Sequence, residues 1–215
     1  MKLSEIDHDD SNILLMFSGG LDSTGALWNL LQDPKNKLHL HHLHLFNQER
    51  RAKAENIAVK NILSYLSKKY NTIKYSESYH QYPSYIHIDN NTKVTYQNFM
   101  FDSDIYNFIA ATICFCLPDI KNVAIGRTKS DDNSDVIERA IRGNKLLEIF
   151  APNIEKIYPV EHLTKCEIYN MLPKELRDMT WSCRTPVYNI KENIFKECKK
   201  CKTCLELNEI KNNDR

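Results

Sequence analysis

The chain has 215 residues, 42% hydrophobic and 27% charged, with 29 Lys and Arg against 28 Asp and Glu for a formal net charge of +1. That length fits one substantial domain with at most a small appendage, and the balanced charge supplies no overall field toward nucleic acid or an anionic membrane. The opening Met1-Lys2-Leu3-Ser4-Glu5-Ile6-Asp7 lacks the apolar run of a secretory signal, and no stretch approaches the roughly 18 apolar residues that span a bilayer; a cytoplasmic protein is expected, its seven cysteines reduced.

The first element is Ile13-Leu14-Leu15-Met16-Phe17, a continuous apolar run that suits a central parallel strand buried on both faces. Ser18-Gly19-Gly20 breaks it, and Asp22-Ser23 opens a helix with Ala26, Leu27, Leu30 and Leu31 at helical spacing. A second strand fits Leu38 to Phe46. A long helix follows from about Arg50 to Lys69, with Ala54, Ile57, Ala58, Ile62, Leu63 and Leu66 on one face. Thr72-Ile73-Lys74-Tyr75 reads as a third strand. From Ser76 to Asn98 the pattern dissolves into tyrosines, Pro83 and polar residues, as in functional loops or disordered segments. Periodicity returns as a buried helix from about Asp104 to Leu117, a short strand Val123-Ala124-Ile125-Gly126, and a helix from Ser134 to Phe150 with Ser134 or Asp135 near its N-cap. Ile157-Tyr158-Pro159-Val160 and a short helix from Thr164 to Met171 close the regular part. Alternating strands and helices predict an α/β fold with a parallel sheet and right-handed crossovers. Ligands bind such sheets beyond the carboxyl ends of the strands, where the Ser18 loop and Gly126 both fall.

Ser18-Gly19-Gly20-Leu21-Asp22-Ser23-Thr24 joins the buried strand to the helix. Two glycines permit a tight turn and bring successive amides close to an anion, and the helix N-terminus adds free N–H groups and partial positive charge. Ser18, Ser23 and Thr24 offer hydroxyl donors, and Asp22 is placed to hold Mg²⁺ or a phosphate-bound water. The loop lacks the lysine and the longer spacing of the Walker A loop, so γ-phosphate transfer is not the chemistry expected. It resembles the Ser-Gly-Gly-x-Asp-Ser signature of the PP-loop ATP pyrophosphatases, which implies that pyrophosphate leaves and AMP passes to a substrate oxygen. The plain alternative is a turn with Asp22 as a helix cap.

Near the other end, Cys198-Lys199-Lys200-Cys201-Lys202-Thr203-Cys204 supplies three thiols at regular spacing, with Cys183 upstream as a fourth. Four thiolates at about 2.3 Å make a closed structural Zn²⁺ site. A [4Fe–4S] cluster takes the same four ligands, and a reduced flexible tail is the third possibility.

Met179-Thr180-Trp181-Ser182-Cys183, the cysteine-rich end, and Leu163-Thr164-Lys165-Cys166-Glu167-Ile168 together are similar to segments of the 7-cyano-7-deazaguanine synthase family, in the same order, from residue 13 to 204. The resemblance implies a two-stage reaction: a 7-deazaguanine carboxylate is adenylated and ammonia displaces AMP to give the amide, then a second ATP activates the amide oxygen and loss of AMP leaves the nitrile. It maps Ser18, Gly19, Gly20, Asp22 and Ser23 onto the ATP loop, with Leu21, Thr24 and Gly126 beside them. Lys165 falls near phosphate, so that Asp22 and Lys165 are the expected catalytic residues, and Cys183, Cys198, Cys201 and Cys204 are the zinc ligands. ATP, Mg²⁺ and Zn²⁺ are the implied cofactors, ammonia and the carboxylate the partners, and a homodimer the implied assembly, without stable nucleic-acid binding and without a membrane.

The chain also departs from the family pattern. A Gly-Gln-Arg-His-like stretch after the second strand is replaced by Asn47-Gln48-Glu49-Arg50-Arg51, with Glu55 in helix register. A Tyr-Pro-Asp-Cys-Arg substrate motif is replaced by Arg127-Thr128-Lys129-Ser130-Asp131-Asp132-Asn133-Ser134, and Arg184-Thr185-Pro186 stands where an aromatic is usual. A specialised member is expected, one that halts at the amide or acts on a related carboxylate. Arg50, Arg127, Asp131 and Asp132 are the candidate substrate contacts.

His39, His41, His42 and His44 alternate with leucines and read as a polar strand face rather than a metal site; Cys114, Cys116 and Cys166 read as apolar-site cysteines, and Trp181 as packing under the cysteine tail. Residues 1–172 are expected to form the ATP-binding domain and 173–215 a zinc-binding region packed on it. Two other functions compete. A PP-loop enzyme inserting sulfur into tRNA needs catalytic thiols or an iron–sulfur cluster beside the ATP loop. A non-catalytic zinc knuckle contacting nucleic acid through Lys196, Lys199, Lys200 and Lys202 has no use for a pyrophosphate cradle.

Overall fold

The apolar run at the start of the chain becomes β1 (Ile13–Met16), whose side chains are hidden on both sides of a sheet. The computed structural model describes residues 11–47, 49–70, 73–81, 85–88, 94–97, 102–131 and 134–213. After β1 come α1 (Leu21–Leu30), β2 (Leu38–Phe46), α2 (Ala52–Leu66), β3 (Lys74–Gln81), β4 (Tyr85–Ile88), β5 (Val94–Gln97) and α3 (Asp102–Cys116). The chain continues through β6 (Asn122–Ala124), α4 (Ser134–Phe150), β7 (Glu155–Ile157), α5 (Lys165–Met171), α6 (Lys174–Asp178), β8 (Val187–Asn189), β9 (Ile194–Lys196) and α7 (Lys202–Asn213).

Five strands form one parallel sheet in the order β3-β2-β1-β6-β7. The chain builds outward from β1 in one direction and then restarts on its other side, so β1 and β6 flank the point where the order reverses. That is where such sheets open a ligand crevice. Burial on both faces explains the unbroken apolar sequence of β1: Ile13, Leu15 and Phe17 pack with Leu27, Val59, Ile62 and Ile168, while Leu14 and Met16 pack with Ala110, Ala111, Cys114 and Leu147. Leu207 and Ile210 of α7 join the first of these cores, so the C-terminal helix is packed into it. The fold is α/β, with a C-terminal segment that gathers four cysteines.

The histidine strand differs from expectation. The doubled His41-His42 reverses the alternation, so each face of β2 carries two histidines and two leucines, and all of Leu38 to Leu45 is buried. The histidines are satisfied by neighbours: His39 and His41 share Ser76 Oγ at 2.7 and 2.8 Å, His41 also meets Ser78 Oγ at 2.8 Å, and His44 meets Glu77 at 3.1 Å. His42 donates from Nδ1 to the Phe17 carbonyl at 3.0 Å, which pins the end of β1 just ahead of the Ser18 loop. Burial pushes both His41 and His42 down to about 4, so they serve as neutral hydrogen-bonding groups. These contacts also explain why the segment after Tyr75 escapes a reading by hydrophobicity. Strand β3 runs on to Gln81, with Ser76 and Ser78 turned toward the β2 histidines and Tyr75 and Tyr79 exposed, and β4 and β5 pair antiparallel beyond it. A polar edge strand pairing with polar partners carries no apolar period.

Smaller differences have local causes. The long helix begins at Ala52 because Arg50 takes a left-handed φ of 55°. The last sheet strand is Glu155–Ile157, and Val160 beyond it is fully buried in a turn. Cys116 and Cys166 are exposed, at the end of α3 and in the first turn of α5; Cys114 is buried as expected. Thr164 and Glu167 form a capping box that starts α5, which the Thr-x-x-Glu spacing announces.

Gly126, just past β6, lies against the first turn of α1: a Cβ there would come within 2.6 Å of the Ser23 nitrogen and 2.8 Å of the Asp22 carbonyl oxygen. Backbone cannot retreat as a side-chain tip can. Gly126→Ala is expected to lower stability by about 1–3 kcal/mol, the usual range for overpacking, read as a shifted urea midpoint.

Candidate active site

The loop after β1 is shaped by backbone first. Gly19 takes φ 73°, and a Cβ on it would stand 2.9 Å from Val59 Cγ2, so glycine is required both for the turn and for the approach of α2. Gly20 is the N-cap of α1 with no side-chain cap. The first-turn amides are therefore left without intrahelical acceptors and facing the crevice, the ordinary setting for an anion. Ser18 Oγ and Ser23 Oγ lie 3.0 Å apart, and Ser23 Oγ donates to the Gly20 carbonyl at 3.1 Å. Thr24, expected beside them as a phosphate donor, is fully buried behind the loop and does not line the cavity.

Asp22 is not a cap. Its Oδ1 is buried without a hydrogen-bond partner, and burial raises its pKa from 3.8 to about 6 against the pull of Lys165, with Asp131 and Glu206 adding to the rise. Lys165, from the first turn of α5, donates to Glu206 Oε2 at 2.7 Å. Burial works against its charge, but Glu206 and Asp22 together push the ammonium above its usual value. An unpartnered acid beside a lysine at a helix N-terminus is a fitting place for a hydrated divalent cation and the phosphates that it bridges.

These groups form one end of a cavity of about 690 Å³, which Ser18, Gly20, Leu21, Asp22, Ser23, Gly126 and Lys165 help to line. Another part of the wall is acidic. Arg51 Nη1 meets Glu49 and Nε meets Glu55, each at 3.1 Å, and Nη2 pairs with Asp102, which also accepts from Asn47. Burial lifts Glu55 to about 7 even with Arg51 beside it. Three carboxylates around one guanidinium make this wall suited to N–H donors rather than to phosphate.

Of the expected substrate contacts, Arg50, Arg127 and Asp131 are not among the residues that line the cavity. Arg50 is exposed, and it is Arg51 that lines the cavity. Arg127 stacks over the Tyr158 ring at 5.3 Å. Asp131 accepts from the Thr128 amide and hydroxyl at 3.0 and 3.1 Å. Asp132 lies outside the described residues.

Cys183, Cys198, Cys201 and Cys204 place their sulfurs within 4.8 Å of one another, and Cys198 and Cys204 are 3.9 Å apart. Tetrahedral bonds of about 2.3 Å set ligand sulfurs at about 3.8 Å, so the four thiols fit a single metal ion. Among the described residues the cysteines, not the histidines, form such a group. Residues on either side of these thiols enter the cavity: Trp181, Ser182 and Arg184 around Cys183, and Thr203, Glu206 and Leu207 around Cys204. Trp181, expected to pack under the tail, donates its indole N–H to the Cys183 carbonyl at 3.0 Å and also faces the cavity. Arg51, Glu55, Ser182 and Glu206 are the site residues that spacing alone does not assign; Arg51 beside Arg50 at the mouth of the sheet and Glu55 in helix register had sequence cues, Ser182 stood in a quoted motif without a role, and Glu206 had none.

The model of a family described as queuosine biosynthesis protein QueC matches residues 12–209. No curated protein sequence matches the chain. Among solved structures, the U34-tRNA thiolase NcsA from Methanococcus maripaludis with its [4Fe-4S] cluster aligns at 18% identity and TM-score 0.45, over 95% of this chain and 66% of that one. A predicted subunit of tRNA methyltransferase from Methanocaldococcus jannaschii aligns at 16% identity and TM-score 0.36, over 75% and 73%. The chain thus spans just under two thirds of the thiolase. No helix among the described residues is long and apolar enough to cross a membrane.

Because the folded pKa of Asp22 lies above 3.8, holding its charge costs stability as pH rises through about 6 and costs nothing below the ordinary value. Asp22→Asn is expected to stabilise the fold by roughly 1–3 kcal/mol at pH 8, with the gain fading toward pH 4. Urea unfolding at the two pH values measures it.

Proposed function

The chain belongs to the queuosine biosynthesis protein QueC family, and from that premise we propose that it is an ATP-dependent ligase that activates a 7-deazaguanine carboxylate, forming AMP and pyrophosphate, and amidates it with ammonia. The observation that carries this reading is the pairing, in one cavity, of an anion-ready loop with an acidic wall. The loop suits the β- and γ-phosphates through the open end of α1 and the Ser18 and Ser23 hydroxyls; Mg²⁺ would be held by Asp22, with Lys165 neutralising charge that builds on the departing pyrophosphate. The acidic wall around Arg51 suits the N–H-rich edge of an aminopyrimidinone ring.

A carboxylate resists ammonia because its oxygen is a poor leaving group. In the first half-reaction the carboxylate oxygen attacks the α-phosphorus, pyrophosphate departs, and an acyl adenylate results; ammonia then adds to the acyl carbon, loses a proton and expels AMP. A second ATP adenylates the amide oxygen with release of pyrophosphate and one N–H proton, and loss of AMP and the second N–H proton leaves the nitrile. Sulfur insertion would require catalytic thiols or an iron–sulfur cluster beside the ATP loop; none of the described lining residues is a cysteine, and the spacing of the four nearby thiols suits one ion better than a cluster.

We assign zinc to the four thiols. Their close approach leaves room for one ion, whereas an iron–sulfur cube interposed between them would hold them farther apart. One zinc per chain is expected by elemental analysis of protein purified without added metal, and Cys201→Ser is expected to lower both the zinc content and the thermal midpoint; iron with inorganic sulfide would reject the assignment.

The function is tested by mass spectrometry of 7-carboxy-7-deazaguanine incubated with the protein, MgATP and ammonia. AMP with amide or nitrile is expected, and Asp22→Asn should abolish both while leaving a well-folded protein. Absence of AMP from zinc-loaded protein would reject the reaction.

A further inference from the structure

The cysteine tail meets the phosphate loop at two points and Lys165 at a third, each within two residues of a thiol ligand, and a further bond ties the tail to itself. Trp181 donates its amide to the Gly19 carbonyl at 2.9 Å. The Leu21 amide, one of the open first-turn donors of α1, is received by Ser182 Oγ at 3.3 Å. Thr203 donates its hydroxyl to the Ser182 carbonyl at 2.8 Å, joining the Cys183 segment of the cluster to α7. Glu206, two residues past Cys204, accepts from Lys165 at 2.7 Å. A fifth link reaches the acidic wall, where Arg184 donates to Glu49 at 2.8 Å.

The two halves of this arrangement are held unequally. Residues 179–186 carry no helix or strand, so the position of Ser182 depends on what fixes Cys183. Helix α7 is anchored by Leu207 and Ile210 in the main core, but the chain leading into it, from Glu197 to Cys201, is irregular. A metal ion bound by all four sulfurs would close the gap between these two segments.

From this connectivity we propose that the cysteine-bound metal is a strut of the nucleotide site: it sets Ser182 on the Leu21 amide and Glu206 on Lys165, so that affinity for a triphosphate depends on metal occupancy. Ser182 and Glu206 are positioning residues. With the Leu21 N–H directed at its oxygen, the Ser182 hydroxyl keeps its own hydrogen for a phosphate oxygen and relays the helix end to the ligand. Glu206 holds the Lys165 ammonium beside Asp22 and sets its reach. The metal takes no part in the chemistry, and its effect travels through hydrogen bonds. Linkage makes the effect reciprocal: a bound triphosphate must slow metal release by the same factor by which the metal tightens the triphosphate.

The inference rests on reading the Ser18 loop as a nucleotide site, and the two can fail separately. Titration calorimetry with Mg²⁺ and α,β-methylene ATP would compare metal-loaded protein with protein stripped by a chelator, its fold checked by circular dichroism. A loss of about tenfold or more on stripping is expected, within the usual range of site-to-site coupling, together with slower zinc release to a chromogenic chelator when the analogue is bound. Ser182→Ala and Glu206→Gln in metal-loaded protein cover the case in which stripping unfolds the tail. Both should weaken the analogue severalfold with zinc content unchanged, and Glu206→Asp should recover most of the loss. Equal affinity with and without metal, or full affinity in both variants, overturns the strut while leaving the nucleotide site standing. No binding to loaded protein overturns the nucleotide reading and the strut with it.

Discussion

The open amino end of α1, set behind a strand that has no solvent-facing side, is the constraint on which the rest of the molecule depends. Strand β1 is buried on both faces, so the chain must turn at once on leaving the sheet, and Gly19 provides the left-handed turn directly beneath Val59. His42 ties down the Phe17 carbonyl before the turn, and Gly126 packs against the helix backbone after it. Held from both sides, the helix end keeps its amides in a fixed position with no side chain of its own to cap them, which is the preorganisation that an anion site needs.

Charge in the cavity is arranged to oppose what a folded protein would choose for stability alone. Asp22 and Glu55 are both buried acids whose pKa values stand well above the ordinary range, at about 6 and 7. Each has a basic neighbour, Lys165 or Arg51, yet desolvation dominates. Buried acids that remain under-compensated mark places where a ligand is meant to complete the electrostatics. The two lie in different parts of one cavity, beside the phosphate loop and in the acidic wall, which matches a ligand set carrying anionic phosphates at one end and N–H donors at the other.

The C-terminal segment changes meaning once its contacts are known. By sequence it is a metal-binding appendage; in the structure it supplies Trp181, Ser182, Arg184, Thr203, Glu206 and Leu207 to the cavity. A knuckle whose lysines contacted some outside partner would have no need to enter the crevice. Its packing through Leu207 and Ile210 into the main core makes residues 181–210 structurally continuous with the nucleotide end of the sheet.

The local sequence determined the parts whose signal is short-range. The buried strand, the glycine-dependent loop, the helices at period 3.6, the parallel α/β architecture and the fourfold thiol set are all legible because each is written in adjacent or regularly spaced residues. The start of strand β3 at Lys74 and Tyr75 was legible too, but its continuation to Gln81 was not, since its polar side chains are satisfied by histidines of β2 some 35 to 37 positions away. The same limit applies to the site. Asp22 and Lys165 are found by motif, but that Arg51 and not the left-handed Arg50 lines the cavity is not, nor is the stacking of Arg127 on Tyr158. Ser182 meets the loop across 161 positions of sequence, and Glu206 meets Lys165 across 41. Contacts closed over such distances depend on how core packing brings chain segments together, and that is a property of the tertiary structure alone.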